Sequence, residues 1–303
     1  MYKDKFNVPV LLIVFNRPDM AFKVFEQIKI IKPSKLFIFA DGPRESAVKD
    51  REKCDQSREI AGEVDWDCEV KTLFKDKNLG CRVAPSSAIN WFFENVEEGI
   101  ILEDDCVTDS TFFRFCKETL EYYRNDKRIM TITGSNLQFG RKFTEYSYYF
   151  SRYPITWGWA SWKRAWNHYD VGMKLWPEIR RKGLLLNILK NRKEVSYWSN
   201  IFEKVYQGKI DTWDYQWLFT CWLQNGLTIL PDVNLVSNIG FGSSSTHTRA
   251  KSIVANLERK HVGFPLSHPP YIFRDMIADR LIEKYQYSSP RLYKKIINII
   301  YGR

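Results

Sequence analysis

The chain has 303 residues, of which 44% are hydrophobic and 16% aromatic; this excludes a disordered protein and leaves room for one large α/β domain or two small ones. Its 46 Lys and Arg against 36 Asp and Glu give a formal net charge of +10, which suits anionic partners such as nucleotide diphosphates or acidic lipids. No RNA-binding or helix-turn-helix signature accompanies that charge, so nucleic acid is not an expected partner.

Six cysteines are scattered without a CxxC pair and read as packed thiols of a reduced, cytosolic protein. No charged-then-apolar leader opens the sequence and no segment approaches transmembrane length, which predicts a soluble or at most peripheral protein.

Val8 to Phe15 is an apolar run of strand length, followed by Asn16-Arg17-Pro18, where Pro18 suits a first helical turn. Phe22, Phe25 and Ile28 carry helical spacing over 20–31. Lys35 to Ala40 is a second strand ending in Asp41-Gly42-Pro43, and a polar helix is predicted over 47–61. Cys68 to Phe74 reads as a third strand with Asn78-Leu79-Gly80 as its exit turn, and a helix is predicted over 83–95. A fourth strand, Ile100 to Leu102, then runs straight into Glu103-Asp104-Asp105.

That β-α-β-α-β-α-β order predicts a mostly parallel sheet with helices on both faces. Ligands of such sheets gather beyond the carboxyl ends of the strands. Asn16, Arg17, Asp41, Asn78, Arg82 and the three acids at 103–105 are therefore expected to meet in one crevice. There is no G-x-G-x-x-G and no Walker-type phosphate loop, which counts against a dinucleotide site. Three adjacent carboxylates repel one another and lose hydration when partly buried. A divalent cation with hard oxygen ligands, Mg²⁺ or Mn²⁺, would relieve them; a solvated acidic turn, or a cap on the next helix, is the alternative.

Further on, a helix is predicted over 111–123 and a short strand over 130–133. An aromatic stretch follows, with Tyr153, Trp157, Trp159, Trp162 and Trp166. A long basic helix is predicted over 174–206. Asp211-Thr212-Trp213-Asp214 opens an aromatic helix to about Leu223, and Leu227 to Leu230 forms a further strand. A loop of small residues from Gly240 carries His247. The tail from Leu292 to Tyr301 is either a basic amphipathic helix at a membrane surface or a helix docked on the core.

Several of these motifs, in this order, resemble the nucleotide-diphospho-sugar transferases of the GT-A fold. They are Ile13-Val14-Phe15-Asn16-Arg17-Pro18, Ala40-Asp41-Gly42, Asn78-Leu79-Gly80 and the strand into Glu103-Asp104-Asp105. Their order and spacing are similar to the animal N-acetylglucosaminyltransferase I group, whose metal motif is also Glu-Asp-Asp and whose later Trp-Asp pair supplies the general base. The segment Trp157-Gly-Trp-Ala-Ser-Trp162 is more similar to bacterial surface-polysaccharide transferases. The resemblance covers residues 8–130 well and 210–250 loosely.

The resemblance implies an α/β GT-A fold, a mostly parallel central sheet flanked by helices with a C-terminal acceptor-side region. It implies a donor-binding half over 1–135, an acceptor-side half over 136–255 and a C-terminal tail over 256–303. Phe15, Asn16 and Arg17 would line the nucleobase and phosphate side of the donor, and Asp41 would accept a hydrogen bond from the base. Arg82 would meet the diphosphate, Asp104 the ribose, and Glu103 would complete the motif. Asp105 and His247 would hold Mn²⁺ or Mg²⁺. Asp214, with Asp211 as the alternative, would be the general base, and Trp157 and Trp159 would stack on the acceptor sugar.

The implied function is an inverting, metal-dependent glycosyltransferase using a nucleotide-diphospho-sugar, a UDP-sugar first among them. The acceptor would be a glycan or a lipid-linked sugar in lipopolysaccharide, capsule or other surface-polysaccharide synthesis. The place implied is the cytoplasm, with peripheral contact at an anionic inner membrane face. The alternatives are a sugar nucleotidyltransferase and a non-catalytic glycan-binding protein.

Overall fold

The computed structural model describes residues 5–189, 191–241 and 253–287. His247 and the 292–301 tail lie outside the described residues. The first strand, β1 (Val10–Val14), is buried along its whole length. Val10, Leu12 and Val14 join one apolar cluster, while Leu11 and Ile13 join another on the opposite face. A strand covered on both faces reads as a continuous apolar run, and this explains why no alternation is visible in Val8 to Phe15.

The chain continues through α1 (Pro18–Ile31), β2 (Lys35–Ala40), α2 (Asp50–Arg58), β3 (Glu69–Phe74), α3 (Gly80–Asn95) and β4 (Glu98–Glu103). Strands β3, β2, β1 and β4 are neighbours in that order, all parallel, with Ile13 opposite Glu103. Helix α1 packs Ala21, Val24, Phe25 and Ile28 onto one face, and α3 packs Ala84, Ala88 and Phe92 onto the other. Gly99 is where α3 comes closest to the sheet, since a side chain there would collide with the Phe92 ring.

Beyond β4 lie β5 (Cys106–Thr108), α4 (Phe112–Tyr122), β6 (Ile129–Thr133), β7 (Tyr148–Ser151) and β8 (Trp159–Trp162). After them come α5 (Lys163–Trp166), α6 (Trp176–Arg181), α7 (Arg192–Tyr206), α8 (Asp214–Leu223), β9 (Leu227–Pro231), β10 (Val236–Asn238) and α9 (Met276–Ile282). The main sheet has eight strands in the order β3-β2-β1-β4-β8-β6-β9-β7. Strands β8 and β7 run against the other members. This is the expected α/β architecture, a mostly parallel central sheet flanked by helices.

Two local expectations change. The basic helix predicted over 174–206 is broken: Gly183, at φ 65°, closes α6, and the Asn191 side chain accepts from Glu194 N to start α7 afresh. The aromatic stretch supplies β8, which enters the middle of the sheet antiparallel to β4 and β6. Trp159 in β8 is fully buried and stacks on Trp213 at 5.7 Å. It is a core residue, and this corrects the acceptor-stacking role expected of it.

Residues after 253 are tied to the sheet edge. Arg152 at the end of β7 donates to Glu283 at 3.2 Å, while Arg274 pairs with Asp279 of α9 at 3.3 Å. His268 Nδ1 accepts from or donates to Tyr148 Oη at 2.7 Å, and its ring stacks on Tyr122 at 4.0 Å. Burial holds the His268 pKa below its ordinary 6.5, against an upward pull from Glu118. A depressed histidine pKa adds stability above the unfolded-state value, and that stability is lost as the pH falls through the folded-state value. His268→Gln is therefore expected to flatten the fall in Tm from about pH 7 to about pH 5. An unchanged slope in thermal melts would assign the acid sensitivity to other groups. Among the described residues no helix is long and apolar enough to cross a membrane.

Candidate active site at the carboxyl edge of the sheet

Because β1 and β4 are parallel neighbours, the segments that leave them emerge side by side. Arg17 holds the N-cap position of α1: its carbonyl accepts from Met20 N and Ala21 N, and Pro18 begins the helix. Its guanidinium turns to the β4 exit. There it forks onto Asp104, with Nε at 3.3 Å and Nη2 in contact, and Nη2 also lies 3.0 Å from Asp105 Oδ2. Phe15 N points at the same Asp104 carboxylate, at 3.4 Å. Burial works to lower the Arg17 pKa, but Asp104 and then Asp105 outweigh it and raise it.

Glu103 follows Ile101 by two positions on β4, so it faces the α3 and α8 side of the sheet. Burial, then the charges of Asp105 and Asp104, push its carboxyl up to about 8; Asp214 adds to the same effect. That last contribution places Asp214, the first residue of α8, near the acid triplet. Asp214 Oδ1 accepts from Tyr215 N at 2.9 Å and from the Thr212 hydroxyl. Its charge also raises the Tyr169 and Tyr215 hydroxyls, after burial as the main cause. Asp214 thus stands at the start of an aromatic helix, and its charge is felt at Tyr169, Tyr215 and Glu103.

Asp105 is held from its other side by the small ribbon that β5 forms with β10. Asn238 pairs with Cys106 in register, which brings Asn238 Nδ2 to 3.4 Å from Asp105 Oδ1. Asn238 Oδ1 accepts from Gly240 N at 2.9 Å. Gly240 passes so close over the Asp105 carboxylate that a Cβ would collide with it and would stand 2.9 Å from Arg17 Nη1. Any side chain there would displace the Asp105 carboxylate or the Arg17 guanidinium.

Asp41, at the end of β2, is 5% exposed. It accepts from Gly42 N at 2.8 Å, Asn78 Nδ2 at 2.7 Å and Leu79 N at 2.9 Å. Burial raises its pKa, against those backbone donors. Asp41 clasps the turn into α3, so a nucleobase N–H could reach it only by sharing an oxygen with Asn78 or Leu79.

Asp211 has a different place from the one expected. Its carboxylate accepts from Cys81 N and Arg82 N, each at 3.1 Å, and so caps α3 from 130 and 129 residues away. Both of its oxygens are thus engaged at the start of α3. The Arg82 guanidinium donates to the Val171 carbonyl at 2.7 Å. Asn16 donates to Asp50 at 2.8 Å and so faces α2, where Asp50 also takes Arg44. The Arg44 guanidinium lies 5.4 Å from the centre of the half-buried Phe15 ring. Trp157 is half-buried and meets Phe241 edge-on at 5.5 Å.

The structure therefore brings Phe15, Arg17, Glu103, Asp104, Asp105 and Asp214 to one edge of the sheet, with Asp41, Arg82 and Asp211 around the start of α3. Sequence reasoning missed Asn238, Gly240 and Arg44. Gly240 was visible as the first residue of the small-residue loop; the other two carry no local signal, because their partners are remote in sequence.

No group of three or more His, Cys, Asp or Glu among the described residues is arranged to hold a metal ion, so there is no closed metal cage. The donor chemistry does fit an open one. One guanidinium pairs with two carboxylates, and burial together with their charges pushes the adjacent Glu103 up to about 8. Mg²⁺-type sites commonly take one or two protein carboxylates and complete their shell with phosphate and water.

No family model matches the chain, and no curated protein matches it. Solved structures similar to it include a cytidylyltransferase from Leptospira borgpetersenii, at 15% identity and a TM-score of 0.34, covering 55% of this chain and 63% of that one. The chain thus spans less than two thirds of that enzyme. A 4-diphosphocytidyl-2C-methyl-D-erythritol synthase from Anaerococcus prevotii matches at 10% identity and a TM-score of 0.38, covering 74% and 86%. Mouse xyloside xylosyltransferase 1, in its apo form, matches at 11% identity and a TM-score of 0.34, covering 70% and 81%. These neighbours are nucleotidyl- and glycosyltransferases.

Proposed function

We propose that this protein is a glycosyltransferase that moves a sugar from a nucleotide diphosphate to an acceptor hydroxyl on a glycan or lipid-linked sugar, with inversion. The observation that carries the reading is the meeting of Arg17, Asp104 and Asp105 at the ends of two parallel strands. A divalent cation anchored at Asp105 would offset the charge that grows on the diphosphate as the sugar–phosphate bond breaks. Asp105 is the carboxylate that would anchor it.

The chain's own groups supply the rest. Arg17 brings a forked guanidinium to the place where phosphate oxygens would lie, a geometry that suits bidentate anion contacts. Phe15, with Arg44 over its ring, offers a flat apolar face for a nucleobase. Asp104 is set beside them for the ribose. An acceptor hydroxyl is a poor nucleophile until its proton is taken, and on this reading Asp214 would take it. Half-buried Trp157 is left as the acceptor-side aromatic.

The test is a panel of nucleotide sugars with Mn²⁺, with and without acceptor saccharides, read as release of nucleotide diphosphate. Release from one donor, abolished by chelator, is the expected result. Release of pyrophosphate from a nucleoside triphosphate and a sugar 1-phosphate would replace the reading with nucleotidyl transfer. Glycan binding without any release would replace it with a non-catalytic lectin-like role.

A further inference from the structure

Asp105, the residue that would anchor a cation, already has partners at both oxygens. Oδ2 meets Arg17 Nη2 at 3.0 Å, and Oδ1 lies 3.4 Å from both Asn238 Nδ2 and Cys106 Sγ. Gly240 closes over the same carboxylate and stands beside Arg17. The Arg17 and Asp105 side chains are 19% and 14% exposed, so this is a partly buried ion pair. A hard divalent cation bonds a carboxylate oxygen at about 2.0–2.2 Å, and a guanidinium 3.0 Å from that oxygen would then face it as a like charge. The two cations therefore compete for Oδ2.

We infer that Arg17 is the resident counter-ion of Asp105 and competes with the divalent cation for it. The inference rests on the metal-dependent reading above and adds to it an order of events. In the empty enzyme Arg17 neutralises the acid pair and keeps metal affinity low. When a nucleotide diphosphate arrives, its oxygens give the guanidinium a new partner, Arg17 leaves Asp105, and that carboxylate becomes available. Metal and nucleotide then bind with positive coupling, and by linkage each tightens the other by the same factor. Arg17 acts here as a positioning residue for the metal ligand, through a contact that the sequence could not show.

The experiment is calorimetric titration of Mn²⁺ alone, without nucleotide, into wild type, Arg17→Met, Arg17→Lys and the Arg17→Met/Asp105→Asn double variant. Thermal melts with and without Mn²⁺ accompany it. Arg17→Met is expected to bind Mn²⁺ tighter than wild type by about tenfold or more, and Mn²⁺ is expected to raise its Tm well beyond any rise in wild type. The double variant is expected to lose both effects. Lysine carries a point charge without the fork that spans two carboxylates, so Arg17→Lys is expected to fall between.

Equal Mn²⁺ affinity in wild type and Arg17→Met overturns the inference, as does a gain that survives in the double variant. Should Arg17→Met fail to fold, Arg17→Lys decides: wild-type affinity there overturns it. Failure here is separable from failure of the functional reading, because the donor panel measures nucleotide release and this titration contains no nucleotide. An enzyme active on the panel whose Mn²⁺ affinity ignores residue 17 would sink the competition alone.

Discussion

Asp105→Asn is expected to lower nucleotide diphosphate release by about 10³-fold or more, equivalent to roughly 4 kcal/mol of lost transition-state stabilisation. The substitution keeps the size of the side chain and an oxygen for Asn238 and Cys106 to approach, but removes the charge that a cation needs. It also removes one of three mutually repelling acids, since Asp105 is the largest charged contributor that drives Glu103 up. The change also takes a charged partner from Arg17, 3.0 Å away, which opposes that relief, so the Tm should change little while activity disappears. An Asp105→Asn protein that keeps its activity argues against the metal role, and a Tm that collapses assigns the lost activity to unfolding. Activity loss measured by steady-state release and stability measured by melting are both needed, because either alone is ambiguous.

Asp214→Asn should reduce kcat by about 10²–10⁴-fold while leaving donor binding nearly unchanged. The amide oxygen of asparagine can still accept from Tyr215 N and the Thr212 hydroxyl, so the first turn of α8 is preserved. What is lost is the ability to take a proton. The same kcat with a raised KM would mean that Asp214 merely helps to bind a substrate. A fall in donor affinity, read by nucleotide binding in the absence of acceptor, would move Asp214 from the acceptor side to the donor side. Asp211 is the natural control, because its carboxylate is engaged at Cys81 N and Arg82 N. Its replacement should weaken the start of α3 without selectively stopping the chemical step.

The donor-side strands were legible because each writes its environment into a short run of residues. Val10 to Val14 and Ile100 to Leu102 are buried on both faces, so they appear as uninterrupted aliphatic segments that end where polar groups begin. The alternation of these segments with helical ones fixes parallel pairing, and parallel pairing puts Arg17 and the acid triplet at the same edge. Charge density in Glu103-Asp104-Asp105 marked that edge as needing a cation. None of this depends on long-range detail.

The aromatic residues behaved differently. Trp157 and Trp159 are two apart in sequence, yet the first is half-buried and the second is sealed against Trp213 and Trp217. An indole reads alike in a core and on a sugar-binding face; the insertion of β8 into the centre of the sheet chose between them. The long basic helix failed for a different reason: the backbone at Gly183 is left-handed and ends the turn.

By itself, the sequence determined the α/β order, the edge of the sheet where chemistry would gather, and the acids and arginine found there, since hydrophobic runs and charge clusters are local properties. Only the tertiary structure decided how those groups are partnered. Asp211 caps a helix whose first residues lie some 130 positions earlier, and Asn238 reaches Asp105 through two strands of three residues each. Arg17 spans 87 positions to occupy the carboxylates at 104 and 105. Such pairings follow from chain crossing and packing, and a carboxylate leaves no mark in its own neighbourhood of which distant donor will claim it.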